Sequence, residues 1–280
     1  MNYFDAHLHW FKDSAFGDRL AGALGGRPDI GYYEDKYRAR GRLAGGIVMG
    51  NGPLEDQGRG LPEGFFYCLG LDEPDCVDHI GAFLPEIERH LESDRCVGLK
   101  IYPGYMPLFP HSPKMYGLYE RLRSCGKVLA VHTGMMASLG GKLKYAHPIH
   151  LDDVAVDFPE LKIVMCHFGN PFLPEAAAVM EHNKNVYADL SGLIEGPFRT
   201  EEFMEREKAY TDLLKLWIRY VGDCKRFMFG TDWPAVDCVE YGRFIAGLFR
   251  EDEAEHVMFR NALEIYNIKE YFADERPESK

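Results

Sequence analysis

The chain has no pair of cysteines in C-x-x-C spacing, and its seven cysteines stand singly at positions 68, 76, 96, 125, 166, 224 and 238. No redox or zinc motif of that spacing exists, and the odd, scattered set fits reduced, mostly buried thiols in a cytoplasm. Basic residues are few: 32 Lys and Arg stand against 44 Asp and Glu, for a formal net charge of −12. Phosphate binding needs a basic surface, so a nucleic-acid partner is excluded. A small anionic substrate is not, because a bound metal can reverse the local field. No stretch approaches the roughly 18 apolar residues that span a bilayer, so no membrane partner is expected. The chain runs at once into Asp5-Ala6-His7-Leu8-His9. With neither a basic n-region nor an apolar h-region there, no signal peptide is expected and the expected location is the cytoplasm. Internal repeats, linkers and low-complexity tracts are also missing, which leaves one domain over residues 1–280.

The composition, 46% hydrophobic and 27% charged, is that of an ordinary globular protein. A chain of 280 residues buries a large core without staples. Eight short apolar runs read as strands: Tyr3–His9, Gly46–Met49, Phe65–Leu69, Val97–Tyr102, Val128–His132, Lys162–His167, Val186–Leu190 and Arg226–Gly230. Helical patterns lie between most of them, at Val77–Leu91, Lys114–Arg123, Pro174–His182, Phe203–Tyr220 and Cys238–Phe249. Strands alternating with helices imply parallel βα units. Near-continuous apolar strands suit a sheet covered on both faces. Eight units predict an α/β fold, a (β/α)₈ TIM barrel, which commonly takes about 250 residues. On pattern alone the alternative is an open doubly wound sheet. Phe11–Arg38 is long and Gly-rich and is expected to form a loop with a short helix. Gly50–Gly64, with five glycines and two prolines, reads as a loop. Both follow strand C-termini, the face on which barrel enzymes build their sites. Glu251–Ala273 reads as one or two closing helices, and Arg276–Lys280 as a frayed tail.

His7 and His9 stand two apart at the end of the first strand. That spacing puts both imidazoles on one face, within reach of one ion. Alone, H-x-H is a weak signal that equally fits two partly exposed histidines. His132 ends the fifth strand, His167 the sixth, and Asp232 follows the eighth. Closure of a barrel brings all five to one mouth, which separate structural roles explain poorly. Imidazole with carboxylate is the ligand chemistry of zinc, iron or manganese. Lys100 ends the fourth strand among apolar neighbours. A surface lysine is the plain reading, but an inward ammonium needs a partner. It would pair with a substrate carboxylate or, as a carbamate, bridge two metals.

These positions sit in longer motifs: Asp5-Ala-His7-Leu-His9, Gly98-Leu-Lys100-Ile-Tyr-Pro103, Val131-His132-Thr-Gly134, Leu151-Asp-Asp-Val-Ala-Val-Asp-Phe-Pro159, Leu161-Lys-Ile-Val-Met-Cys-His167-Phe-Gly-Asn-Pro171, Asn185-Val-Tyr-Ala-Asp-Leu-Ser191 and Phe229-Gly-Thr-Asp232-Trp-Pro234. Together they resemble the amidohydrolase superfamily, most closely its amidohydrolase-related branch of lactone hydrolases and decarboxylases similar to aminocarboxymuconate-semialdehyde decarboxylase. The likeness runs from residue 3 to about residue 267. It implies a distorted TIM barrel with the metal at the C-terminal mouth. His7, His9, His132 and Asp232 match the positions that hold a single metal. His167 matches a histidine that binds a second metal or acts as acid, base or carbonyl-polarising group. Lys100 falls where binuclear relatives carry a carboxylated lysine. The cofactor implied is a divalent metal, zinc first with manganese or iron as alternatives, one ion favoured and two possible.

Decarboxylase members often carry glutamate at the position of His7, so the resemblance favours hydrolysis of a small ester, lactone or amide by metal-activated water. Asp232 and His167 would be the catalytic residues. The alternative is a metal-dependent non-oxidative decarboxylase of an unsaturated or aromatic acid. A non-catalytic binding barrel is a third reading with little support, because no ligand position is lost. Candidate substrate contacts on the loops above the mouth are Trp10, Tyr102, Tyr105, Tyr145, His147, Asn170 and Trp233, with Met135 and Arg59 beside them. Trp10 and Trp233 equally read as rim packing, and Asp189 as a structural hydrogen-bonding residue. Glu201–Lys208 reads as a solvated helix face. A small molecule is the expected partner, and a homodimer is a further expectation.

Overall fold

The structure, a computed structural model, describes residues 2–275 apart from residues 13, 42 and 138. Eight strands alternate with helices. They are β1 (Tyr3–Leu8), β2 (Leu43–Met49), β3 (Phe65–Leu71), β4 (Cys96–Ile101), β5 (Val128–Val131), β6 (Ile163–Met165), β7 (Val186–Asp189) and β8 (Phe227–Met228). They form one sheet in sequential order, and every neighbouring pair is parallel. The sheet curls until its ends meet. Leu8 bridges Trp233 in parallel, and Ala6 N donates to Phe229 O at 2.9 Å and His9 N to Trp233 O at 2.8 Å. This is the expected TIM barrel, and the open sheet is ruled out.

The closing seam explains why the barrel is distorted. β8 has two residues, too few for a full ladder with β1. The Asp5 carboxylate supplies what the ladder lacks. Fully buried, it accepts from Thr231 N at 2.9 Å, Thr231 Oγ1 at 2.5 Å, His7 N at 3.1 Å and Tyr33 OH at 2.5 Å. Burial pushes its carboxyl up to about 6, against the pull of those donors.

The strands match the expected runs to within a few residues, and three helical differences have physical causes. The helix expected over Val77–Leu91 is two, α3 (Pro74–Asp78) and α4 (Ile80–Leu91), broken where His79 leaves helical geometry at φ −119, ψ 38. Beyond α5 (Tyr116–Ser124), α6 (His150–Asp157) and α7 (Leu173–His182), the helix expected over Phe203–Tyr220 divides at Glu207 into α8 (Thr200–Arg206) and α9 (Lys208–Val221). The largest correction falls on Phe11–Arg38, which holds two helices, α1 (Ala15–Ala23) and α2 (Ile30–Gly41). Ser14 caps α1 by accepting from Gly17 N. In α2, Ile30, Tyr33 and Tyr37 repeat at helical spacing and are buried.

Apolar side chains fall into two clusters. One fills the space between strands and outer helices, including Leu8, Leu69, Leu99, Ile101, Val131 and Ile163. The other fills the barrel and its lower end, with Phe4, Ala6, Cys68, Val128, Ala130 and Cys166 among its members. After α10 (Cys238–Ala246), the closing segment runs as α11 (Glu251–Glu255), a π turn (His256–Arg260), α12 (Asn261–Ile265) and a 3₁₀ stretch (Lys269–Glu275). Its Phe259, Leu263, Tyr266 and Phe272 plug the barrel floor. The tail Arg276–Lys280 lies outside the described residues. Among the described residues no helix is long and apolar enough to cross a membrane.

Candidate active site

The cluster begins with a break in strand alternation. Phe4 and Ala6 face the barrel interior, and Leu8 packs against the outer layer. A register shift between Asp5 and Leu8 changes the alternation. His7 and His9 therefore share the mouth. There His7 Nε2 lies 3.4 Å and His9 Nε2 3.2 Å from Asp232 Oδ1. Asp232 is held at φ 60, its N–H on His7 O at 2.8 Å. β6 ends early because Cys166–Gly169 turns into a 3₁₀ segment with His167 at φ 63. That turn swings His167 over the mouth, where its Nε2 meets His132 Nδ1 at 3.1 Å.

Partners on the far side of each ring fix the tautomers. His7 Nδ1 is 2.8 Å from Asp189 Oδ2, so it carries the proton and leaves a lone pair on Nε2. His9 Nδ1 faces two acceptors, Met49 O at 3.0 Å and Asn51 Oδ1 at 2.7 Å. The Asn51 amide is oriented by donating to Asp72 Oδ2 at 3.1 Å. His9 Nε2 is therefore also a lone pair. Ser191 Oγ donates to Asp189 Oδ1 at 2.5 Å and lies 2.8 Å from His167 Nδ1. The serine proton being engaged, His167 Nδ1 is the donor, and its Nε2 is a third lone pair. Asp189 also accepts from the backbone N–H of His167 at 3.0 Å and of Ser191 at 3.2 Å.

Burial lowers His7 to about 3, assisted by the Lys100 charge and opposed by Asp189. It lowers His132 and His167 as well. All three rings are neutral at pH 7, as metal ligands must be. Burial works to raise Asp189 and Asp232. The hydrogen bond from His7 outweighs it at Asp189, and at Asp232 a proton or cation held between its carboxylate and His9 Nε2, 3.2 Å away, does so. Both carboxyls stay well below the usual range.

His7 Nε2 and His132 Nε2 are buried without a hydrogen-bond partner. Such atoms are costly unless something binds them. One donor atom each of His7, His167 and Asp232 lies within 4.8 Å of the others. Neutral imidazoles with an ionised carboxylate are the donor set of a zinc-type divalent ion, so these residues fit one.

The cavity over this cluster has a volume of about 230 Å³. His9, His132, His167, Asp232 and Lys100 reach its floor. Lys100 is fully buried, its Nζ 2.7 Å from Cys166 Sγ and 5.3 Å from the centre of the Tyr102 ring. Of the seven expected substrate contacts, Tyr102 and Tyr105 line the cavity, with Met135 beside them. Burial raises Tyr105 to about 12, so its phenol is neutral.

The other five do not line the cavity. Trp233 is a core residue, 2% exposed, with its ring 4.9 Å from that of Tyr33. Trp10 lines an adjoining cavity under the Lys12 ammonium. Tyr145 packs on Phe109 and His147 on Phe172, each with ring centres 4.5 Å apart, and neither lines the cavity. Asn170 takes part through its backbone, its carbonyl accepting from Met135 N at 2.9 Å. Arg59 is exposed and ion-pairs with Asp56 at 3.6 Å.

The sequence reading missed several residues that complete the cavity. Phe11, Phe16 and Leu20 come from the segment read as a loop with a short helix. Asn51 and Asp72 follow the ends of β2 and β3, and polar residues just past strand ends were a signal available there. Glu195 lies on the loop after β7 and carried no local signal.

The amidohydrolase family model matches residues 56–268, which leaves β1 and its histidines outside the match. No curated protein matches the chain. Among solved structures, an uncharacterized TIM-barrel protein from Bordetella bronchiseptica is similar at a TM-score of 0.71 and 17% identity, covering 96% of this chain and 99% of that one. The 5-carboxyvanillate decarboxylase of Sphingomonas paucimobilis is similar at a TM-score of 0.64 and 14% identity, covering 96% and 99%. An amidohydrolase from Burkholderia multivorans with bound zinc is similar at a TM-score of 0.63 and 12% identity, covering 95% and 99%. At such identities the likeness shows the fold. The family match spans most of the chain, and the protein accordingly belongs to the amidohydrolase family of metal-dependent enzymes, as its motifs led one to expect.

Proposed function

We propose that this protein is a metal-dependent hydrolase of a small ester, lactone or amide. The observation that carries the reading is the approach of the Asp232 carboxylate to His7 and His9, at 3.4 and 3.2 Å, with His7 Nε2 and His132 Nε2 buried and without a hydrogen-bond partner. His7, His9, His132 and Asp232 would hold one divalent ion. Zinc comes first on donor type and on the zinc-containing amidohydrolase neighbour, ahead of manganese or iron. When bound, such an ion supplies a Lewis acid that lowers the pKa of water to about 7 and polarises a carbonyl. Lys100 turns its amine to Cys166, which favours one ion over a pair bridged by a lysine carbamate.

The remaining chemistry belongs to the chain. Asp232, ionised and with a fifth of its side chain exposed to the cavity, accepts the proton of the attacking water and passes it to the leaving group. His167 keeps its proton on Nδ1, anchored by Ser191, and presents Nε2 as an acceptor. In that tautomer its Nε2 accepts from His132 Nδ1 at 3.1 Å and does not donate to the carbonyl, so the leaving-group proton comes from Asp232. Tyr102 and Tyr105 form a wall against which the substrate body lies. Tyr102 OH is engaged with Gly50 O at 2.6 Å, and Tyr105 OH accepts from Ala137 N at 2.9 Å.

Decarboxylation stays as the second reading, supported by the decarboxylase on the same barrel. The test uses zinc-loaded protein and a panel of small esters and lactones. Hydrolysis by the wild type, lost in Asp232→Asn with zinc still present by elemental analysis, is expected. Carbon dioxide release from an aromatic or unsaturated acid, with no ester or lactone turned over, would replace hydrolysis by the lyase reading.

A further inference from the structure

The walls of this cavity carry charge of one sign. Above the Lys100 floor, its charged side chains are Asp72, Glu195 and Asp232. Among the described residues neither Asp72 nor Glu195 has a cationic partner within 4 Å, and no arginine lines the cavity. Asp72 accepts from Gly52 N and Asn51 Nδ2, which hold its carboxylate in place. Glu195 is exposed at the rim on a firmly built loop. Tyr210 OH donates to Leu193 O at 3.0 Å, Tyr241 OH to Leu190 O at 2.6 Å, and Gly196 N to Ala235 O at 2.8 Å. Lys12, in the adjoining cavity, is already bonded to the carbonyls of Asp56 and Arg59. Between the acids the wall is apolar and aromatic, formed by Phe11, Phe16, Leu20, Tyr102, Tyr105 and Met135. The unpartnered nitrogen of buried His132 at the floor marks this as a ligand cavity.

We infer that the part of the substrate that lies against Glu195 is uncharged or cationic, with an apolar body, and that Glu195 sets this preference. A carboxylate there would meet Glu195 with no guanidinium or ammonium at the rim to receive it. A cation would gain the Glu195 carboxylate and the aromatic faces. Only the kinetic arm of the test depends on the hydrolase reading.

That arm compares para-nitrophenyl esters of trimethylammoniobutyrate, its tert-butyl isostere and glutarate on the zinc-loaded full chain. The expected order of kcat/KM puts the cationic and neutral esters above the glutarate. In Glu195→Gln the cation-to-anion ratio narrows by about fivefold, the scale of one exposed charge interaction. In Glu195→Lys the order reverses. Glu205→Gln, on the outer surface of α8, controls for net charge and keeps the wild-type ratio. A wild-type preference for glutarate, or equal ratios in Glu195→Gln and Glu205→Gln, would overturn the inference. Should no ester turn over, the hydrolase reading fails alone. The Kd order of the three corresponding methyl ketones, by calorimetry, then decides the charge preference: glutaryl binding weakest supports it, glutaryl binding tightest overturns it.

Discussion

Asp189 never reaches the cavity wall, yet two histidines depend on it. One of its oxygens holds His7 Nδ1 and the other holds Ser191, which in turn fixes His167. Replacing Asp189 by Asn keeps the shape and puts an amide donor where only acceptors work. His7 then loses its acceptor or moves its proton to Nε2, the atom a metal needs. Groups of this kind typically govern ligand affinity by 10- to 100-fold. Asp189→Asn is therefore expected to weaken zinc binding by about that factor in a chelator competition. Unchanged affinity would show that His7 holds its orientation without the carboxylate. Much of this was legible at the level of residue type: His7, His9, His132, His167 and Asp232 were readable because each ends a strand. The tautomers were not, since Asp189 and Ser191 act on rings far away in the chain. Trp233 misled because an aromatic next to a ligand looks the same in sequence whether it faces the cavity or the core.

Between elements, the β1–β8 seam is the place where a short strand is supplemented by side chains. Tyr33 of α2 donates one of the four hydrogen bonds that Asp5 accepts. Tyr33→Phe leaves that buried carboxylate short of a donor, a loss of about 1–3 kcal/mol. Urea denaturation should report it, and a midpoint equal to wild type would show the bond to be dispensable. α4 and β3 meet at His90, 5% exposed, whose Nδ1 lies 2.8 Å from Tyr67 OH. Burial, with Arg89 nearby, lowers its pKa below the ordinary 6.5. As pH falls through 6.5 the unfolded chain takes a proton that the folded chain refuses. Stability is therefore lost on the acid side, by at most about 1.4 kcal/mol per pH unit for this group. His90→Gln should lose less stability than wild type between about pH 6.5 and 5, and equal slopes would exclude His90 as a contributor. Segment 11–38 shows the limit of reading elements from sequence. Its glycines argued for a loop, while Ile30, Tyr33 and Tyr37 carried a helical period that tertiary burial made decisive.

Across the whole molecule, the candidate ligands come from the ends of β1, β5 and β8, strands that a sequential barrel joins only by closing. An ion held there would link the seam to the opposite wall. Zinc at a thousandfold excess over its Kd is expected to raise stability by about 4 kcal/mol, and chelation to remove that gain. Thermal unfolding with and without chelator checks this, and identical curves would exclude a site formed only in the folded chain. The sequence by itself determined the class of fold, because eight apolar runs separated by helical patterns admit few other arrangements. It also determined the donor types, because histidine and aspartate at strand ends declare their chemistry locally. Tertiary structure decided which of those side chains share a cavity, which nitrogen of each ring is free, and that the cavity rim is acidic. Those properties depend on distances between residues remote in the chain. They are set by the shift in β1, the turn after β6 and the closure of the barrel, and no local pattern of residues encodes them.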